Sequence, residues 1–477
     1  MVNLLCTLPW KKNVLQTLTF ILMFIFLFLS YTQNFFNVVS KDDFHSFQID
    51  SELLVVDGLL YARNSNSNFS MGAINRSLSE NHLPTRDAIR YSISTKEFNT
   101  DSSPKKIYDE FEPYTSQYGL QFKMFYLIER YFNITIYDYK RIVATLMVIV
   151  VILMLLAIKS KFGNKTILPV FLLFLFSPFI VKFAGNLYWV TFTWFLPVLV
   201  TSFFSVAAFA CNRKLILLMV LLFIVFTIKF LCGFEYITTI GISSVIPLIY
   251  IGLRENQSNK KIIYVLSGVI TVFSLSFILS LFFYTSQYGT DNLEEIINKR
   301  ISFKEIEEQK NDFCKHSSIA DCSTFFDEKL APDLTAPVSG VVGRYLVFEG
   351  FIPWLYTTHL SPKDKIKLIQ FIKKPNDIDA LRNMETNTYL RVLSMLLGSL
   401  IFYVMTIKAL LLAQKRRGEI FLVLLTVISP ISWFILASGH SSKHIGINDV
   451  LWFLPTLPFL LVYILGNYQY TAKESVV

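Results

Sequence analysis

Residues 142–158 read IVATLMVIVVILMLLAI, an uncharged run that Arg141 and Lys159 close at its two ends. Such a run approaches the ~20 apolar residues that a helix needs to cross a bilayer. Comparable runs recur near 13–33, 166–183, 187–211, 215–232, 236–253, 262–284, 390–412, 420–438 and 450–466. Of 477 residues 53% are hydrophobic and only 17% charged, with a mean hydropathy of +0.48; a soluble chain of this size carries more charge. The predicted fold class is therefore an all-α polytopic membrane protein, with about ten transmembrane helices and two large extracytoplasmic loops. The first run is too long for a signal-peptide core and no A-x-A-like site follows it, so it reads as an anchor.

Orientation follows from the basic residues of the short connections. Lys11, Lys12, Lys159, Lys161, Lys165, Arg213, Lys214, Arg254, Lys260, Lys261, Lys415, Arg416, Arg417 and Lys473 all fall on one face, against only Glu255, Glu419 and Glu474. That face is expected to be cytoplasmic, with both termini on it. The basic pI is thus a topology signal, and no nucleic-acid partner is expected. Lys140, Arg141 and Arg391 fall on the opposite side near span ends; either they depart from the rule or they have a task.

The expected organisation is an anchor at 1–33, a first outer loop at 34–141, spans over 142–284, a second outer loop at 285–389, and spans with a short tail over 390–477. Sequence complexity is concentrated on the outer face. The hexamer YTSQYG occurs there twice, at 114–119 and 284–289. Its flanks do not match, which argues against a duplicated unit, and both copies read as aromatic interface anchors. The first copy opens YTSQYGLQFKMFYLIERYF (114–132), whose Tyr, Leu and Phe positions suit a helix lying in the interface. Cys314 and Cys322, in CKHSSIADC, lie in the second loop, where a disulfide is expected in an oxidising compartment.

Chemistry, if present, is expected on this outer face. KDDFHSFQIDSE (41–52) gathers Asp42, Asp43, His45, Asp50 and Glu52 just beyond the first span. If 42–57 is one helix, Asp43 and Asp50 share a face and His45 and Glu52 the neighbouring one. A carboxylate half-sunk in the interface is partly desolvated and a better base; the bland alternative is an acidic cap on a helix N-terminus. Lys182, Lys229 and Glu235 border apolar runs, where a charge is costly and marks a functional site by default, although a lysine can also snorkel to water. Lys229 and Glu235 could equally form a structural ion pair. His440, Lys443 and His444 fill the last outer turn and suit contacts to a phosphate better than a metal. No P-loop, dinucleotide-binding glycine motif, H-E-x-x-H or G-x-S-x-G is present, which removes the common nucleotide and hydrolase signatures.

The segments DDFHSFQIDSELLV (42–55), NLYWVTFTWFLP (186–197), KFLCGFEYITT (229–239) and WFILASGHSSKHIGINDVLWFLP (433–455), with an acidic pair early in a large outer loop and many spans after it, resemble the GT-C glycosyltransferases. More loosely, the layout resembles the O-antigen-modifying glucosyltransferases. The resemblance implies a GT-C-like fold in a bacterial inner membrane. It implies transfer of a sugar from a polyprenyl-phosphate-linked donor to a glycan or lipid acceptor, with membrane lipids as the remaining partners. Asp43 would be the general base, with Asp42 the fallback, and Lys182, Lys229, Lys443 and Arg344 would stabilise the leaving lipid phosphate. Members differ in whether such acids hold a divalent metal, so a metal stays open and no other cofactor is expected. The competing readings are an O-antigen polymerase or ligase, which relies more on outer-loop arginines, and a lipid-linked-sugar flippase or transporter, which would carry charge through several spans.

Overall fold

The structure, a computed structural model, describes residues 9–65, 70–74, 111–132, 134–301, 314–315, 386–414, 418–437, 440–441 and 445–474. Nine helices among these residues are long and apolar enough to cross a membrane, and the chain is a multi-pass helical membrane protein. The first spanning helix is α1 (Pro9–Gln33), followed by the short α2 (Lys41–Ser46) and α3 (Ile49–Ser65). Two three-residue strands, β1 (Gly72–Ile74) and β2 (Phe111–Pro113), pair antiparallel with Ala73 opposite Glu112. The amphipathic α4 (Leu120–Tyr131) then leads into α5 (Ile136–Phe162).

Residues 142–158 lie within α5. Its start is a capping box: Asp138 N–H donates to Thr135 Oγ1 and Thr135 N–H donates to Asp138 Oδ2, satisfying two backbone donors that a helix start leaves open. Gly163, at φ 79°, ends it, a left-handed backbone that favours glycine.

The span expected over 166–183 is instead two pieces, α6 (Ile167–Leu175) and α7 (Pro178–Phe183). Ser177 caps α7 by accepting from Ile180 N–H, and Pro178 opens it. Proline disfavours a helical conformation in the residue before it but suits the first helical position, so Ser-Pro divides the run. The pair still carries the chain from the Phe162 end of α5 back to its Lys140 end, because Lys182 and Lys140 line one cleft.

The remaining spans are α8 (Phe192–Ala210), α9 (Asn212–Cys232), α10 (Ile237–Arg254) and α11 (Asn259–Tyr288), followed by the short α12 (Thr290–Ile301). Then come α13 (Thr386–Ala413), α14 (Glu419–Leu436), the short α15 (Ile445–Asn448), and a 3₁₀ turn (Asp449–Phe453) that runs into α16 (Thr456–Glu474). Lipid-facing positions such as Ile216, Tyr264, Phe282 and Phe421 are exposed, while Trp194, Trp433 and Trp452 are buried. That is the pattern of a bundle whose outside is as apolar as its core.

The two YTSQYG copies meet in space. Tyr284, the first residue of the second copy, donates to the Thr115 carbonyl in the first (2.7 Å), and Tyr118 packs against Phe283 with ring centroids 6.0 Å apart. Lys123 donates to Gln287 (2.6 Å). The copies differ in conformation: the second continues α11, whereas the first is a turn before α4. They therefore link the segment before α4 to the end of α11, a contact separate from the anchoring role expected of them.

At the end of the bundle away from α2, three helix ends are tied together. Arg254 Nε lies 3.3 Å from Glu419 Oε1, Tyr463 donates to Glu419 Oε2, and Arg254 donates to Asn467. Glu419 is buried. Removing one partner of a buried pair strands the other charge, at a cost of about 3–5 kcal/mol. Glu419→Ala is therefore expected to lower the thermal unfolding midpoint in detergent by several degrees, whereas Glu255→Ala, at an exposed neighbour, should leave it in place.

Candidate functional site

A cleft opens at the other end of the bundle, where α1, α2, α5 and α7 converge. It encloses about 580 Å³ of empty space, part of it open to solvent, and its lining includes His45, Lys140, Arg141, Lys182 and Asn186. Three cations from two helices thus face one small space. Lys182 is buried, and its ammonium lies over the rings of Phe47 at 4.6 Å and Phe179 at 5.3 Å, where the ring faces favour a cation. Arg141 lies over Tyr137 at 5.2 Å. His45 is half-buried on α2, with its ring 5.3 Å from that of Phe44.

The position of Lys140 is set by Glu52. Glu52 is buried; its Oε2 receives Lys140 Nζ at 2.8 Å and its Oε1 accepts from Leu187 N–H at 3.0 Å. One carboxylate therefore fastens α3 to α5 and to the loop after α7. That loop is held by more buried bonds: Asn186 Oδ1 accepts from Tyr188 and Trp189 N–H, both at 3.1 Å, and Gln121 donates to the Tyr188 carbonyl at 3.0 Å. Val190 is kept at φ 37°, a conformation costly for a β-branched residue and sustained only where the surroundings over-determine it. Gly185 lets the loop approach α5, since a Cβ there would stand 3.3 Å from the Lys140 carbonyl.

The continuous helix expected over 42–57 is broken. Gln48, at φ 53°, separates α2 from α3, so Asp43 and Asp50 do not share a helix face. Asp50 is exposed and Glu52 turns inward. The backbone of Asp42 and Asp43 forms part of α2, beside the cleft that His45 lines; their side chains lie outside the described residues.

Lys229 and Glu235 do not join the cleft. Lys229 is buried and donates to the Gly233 carbonyl at 2.5 Å. Glu235 is buried as well, and a Cβ at Gly233 would collide with both Glu235 Oε2 and Gln117 Oε1. Beside them Tyr236 donates to Asn448 Oδ1 at 3.4 Å. Burial pushes the Tyr236 phenol well above its ordinary value, and the nearby Glu235 and Asp449 push it further, so it remains a neutral donor. An aromatic wall divides this buried polar group from the cleft. In it Phe183 meets Trp189 and Trp194, Tyr236 meets Trp189, Trp194 and Trp433, and Trp433 meets His440. The indole N–H groups of Trp189 and Trp433 are buried with no hydrogen-bond partner among the described residues.

Of the other expected site residues, Arg344, Lys443, His444 and Cys322 lie outside the described residues. Cys314 is disulfide-bonded. No group of three His, Cys, Asp or Glu side chains among the described residues could hold a metal ion. Sequence reasoning left Lys140 and Arg141 out of the site, although both had already stood out as cations on the wrong face for the topology. Comparison with protein-family models, curated proteins and solved structures finds no match for this chain.

The dependence of the cleft on Glu52 can be measured. Glu52→Ala leaves Lys140 without its counter-charge and a buried N–H unmet, so a loss of about 3–5 kcal/mol is expected in unfolding experiments. Glu52→Gln can still accept from Leu187 and should lose less. Asp50→Asn should stay within about 0.5 kcal/mol, as ordinary surface changes do.

Proposed function

We propose that this protein is a membrane glycosyltransferase. It moves a sugar from a polyprenyl-phosphate-linked donor to a glycan or lipid acceptor at the outer end of the bundle, in the manner of the GT-C enzymes. The observation that carries the reading is the convergence of Lys140, Arg141 and Lys182 on one cleft at the head of the spans, beside the helix that bears Asp42 and Asp43. A donor of this kind has a long apolar tail and an anionic group at its sugar linkage. A cleft that is cationic and sits where membrane-spanning helices end suits both parts.

In the reaction Asp43 takes the proton of the acceptor hydroxyl as its oxygen attacks the anomeric carbon from the face opposite the lipid. The new glycosidic bond forms while the bond from the anomeric carbon to the phosphate oxygen breaks. The phosphate leaves with that electron pair, and configuration inverts. Lys182 and Arg141 stabilise the charge that grows on the departing phosphate, and partial exclusion of water strengthens them. Lys140, shared with Glu52, positions the wall and adds to the field. His45 and the carboxylate of Asp42 orient the acceptor.

The test is transfer from a panel of polyprenyl-phosphate hexoses, measured in membranes holding equal amounts of each variant. Asp43→Asn should lower kcat by roughly 10²–10⁴, the range for loss of a general base. Arg141→Ala and Lys182→Ala should each lower kcat/KM by about 10²–10³, as for loss of one charge-stabilising donor. Transfer that is unchanged in Asp43→Asn and Asp42→Asn, with normal protein levels, would refute the base assignment. No transfer by the wild type from any member of the panel would refute the donor class.

A further inference from the structure

The other half of the bundle holds a second cavity of different character. It encloses about 710 Å³ of empty space, part of it open to the outside, between the last turns of α5, the middle of α8, the second half of α10 and the start of α16. Its lining is apolar or aromatic apart from Lys161, Ser202 and the Tyr250 hydroxyl. Lys161 is the one charge among the lining residues. Its ammonium donates to the Ser202 carbonyl and to Ser205 Oγ, and it pairs with no carboxylate among the described residues.

A lysine near the end of a span ordinarily extends its stem and puts the ammonium in water. Lys161 instead turns into the bundle, to hydroxyl and carbonyl groups of α8. A charge held there without a counter-ion is costly and calls for a partner. A carbonyl and a hydroxyl satisfy its hydrogen bonds but cancel no charge.

The cavity also has a direction. Lys161 stands at the end of α5 that carries Lys159, with Lys165, Arg213 and Lys214 close in sequence to the same helix ends. From Lys161 the apolar wall runs back to Met154, about 10 Å along the helix axis, within the ~15 Å that one leaflet supplies to the hydrocarbon core. A charged head at the basic end and a chain pointing to the bilayer centre is the order of a lipid in that leaflet. A donor lipid whose phosphate lies in the cleft at the other end would have the opposite order.

We propose that this cavity binds an anionic phospholipid of the surrounding bilayer, with the headgroup phosphate on Lys161 and one acyl chain against Met154, Ala157, Val198, Ile246 and Phe459. The basic residues around the entrance add to the attraction, as clustered lysines and arginines do at anionic membrane surfaces. The site stands apart from the transfer reaction and does not depend on it.

The experiment uses the full chain in detergent. Photoreactive phosphatidylglycerol, with the reactive group in its acyl chain, is crosslinked and the adducts are mapped, with photoreactive phosphatidylcholine in parallel. Phosphatidylglycerol should label peptides within 154–162 and 456–462 in preference to phosphatidylcholine, and should raise the thermal midpoint more. Lys161→Met keeps the apolar stem and should weaken phosphatidylglycerol retention by roughly fivefold, the effect of about one basic residue at an anionic surface. Lys161→Arg should keep the preference. Equal labelling by the two lipids, labelling confined to the α2 end, or displacement from these peptides by an equimolar polyprenyl phosphate would each overturn the assignment. Should Lys161→Met fail to fold, the wild-type map and Lys161→Arg still decide it.

Discussion

The buried carboxylate of Glu52 is the interaction on which the α2 end of this protein depends. It is a single group that reaches Lys140 on α5 and the Leu187 amide in the loop after α7, and it belongs to a third element, α3. Helices in a membrane gain little from hydrophobic association with one another, because lipid is as apolar as they are. Polar contacts of this kind therefore fix the register of one element on the next. A buried pair is poor evidence of net stability, but it is strong evidence of position. With Glu52 in place, the wall carrying Lys140, Arg141 and Lys182 has one geometry.

The two ends of the bundle use charge differently. At the α2 end, Lys140 and Arg141 of α5 and Lys182 of α7 line one cleft. At the opposite end, Arg254 is met by Glu419, Tyr463 and Asn467, a closed network that ties helix ends. Lys161, at that end, keeps its charge inside and pairs with no carboxylate among the described residues. Between the cleft and the Lys229, Glu235 and Asp449 group stands a wall of tryptophan and tyrosine. Low polarity in that wall raises the strength of any charge interaction on either side of it.

Much of the fold was legible in the chain because the bilayer imposes a length and an apolarity that ordinary cores do not. Eight of the expected ten spans are single long helices, and the one over 450–466 is a 3₁₀ turn that runs into α16. The tenth, over 166–183, divides at Ser177-Pro178, a signal present in the sequence but outweighed by its hydropathy. The acidic stretch is less legible. The assumption of one helix put Asp43 and Asp50 on a shared face, and the left-handed turn at Gln48 separates them. Glu52 and Asp50 are both acids in a short stretch, yet one is buried and the other exposed. Local composition cannot distinguish them, since the difference lies in where Lys140 arrives from 88 positions away.

The sequence by itself determined that the chain lives in a membrane, roughly where it crosses, and which ends of its helices carry the basic residues. These follow from transfer energies that each segment meets on its own. The tertiary structure decided which cations share a cleft, that Lys182 belongs with Lys140 and Arg141 while Lys229 belongs with a separate buried group, and that two identical hexamers take different conformations and meet. Those outcomes depend on contacts between segments far apart in the chain. A hydrogen bond or a desolvated charge acquires its worth from its partner, and no local pattern names the partner.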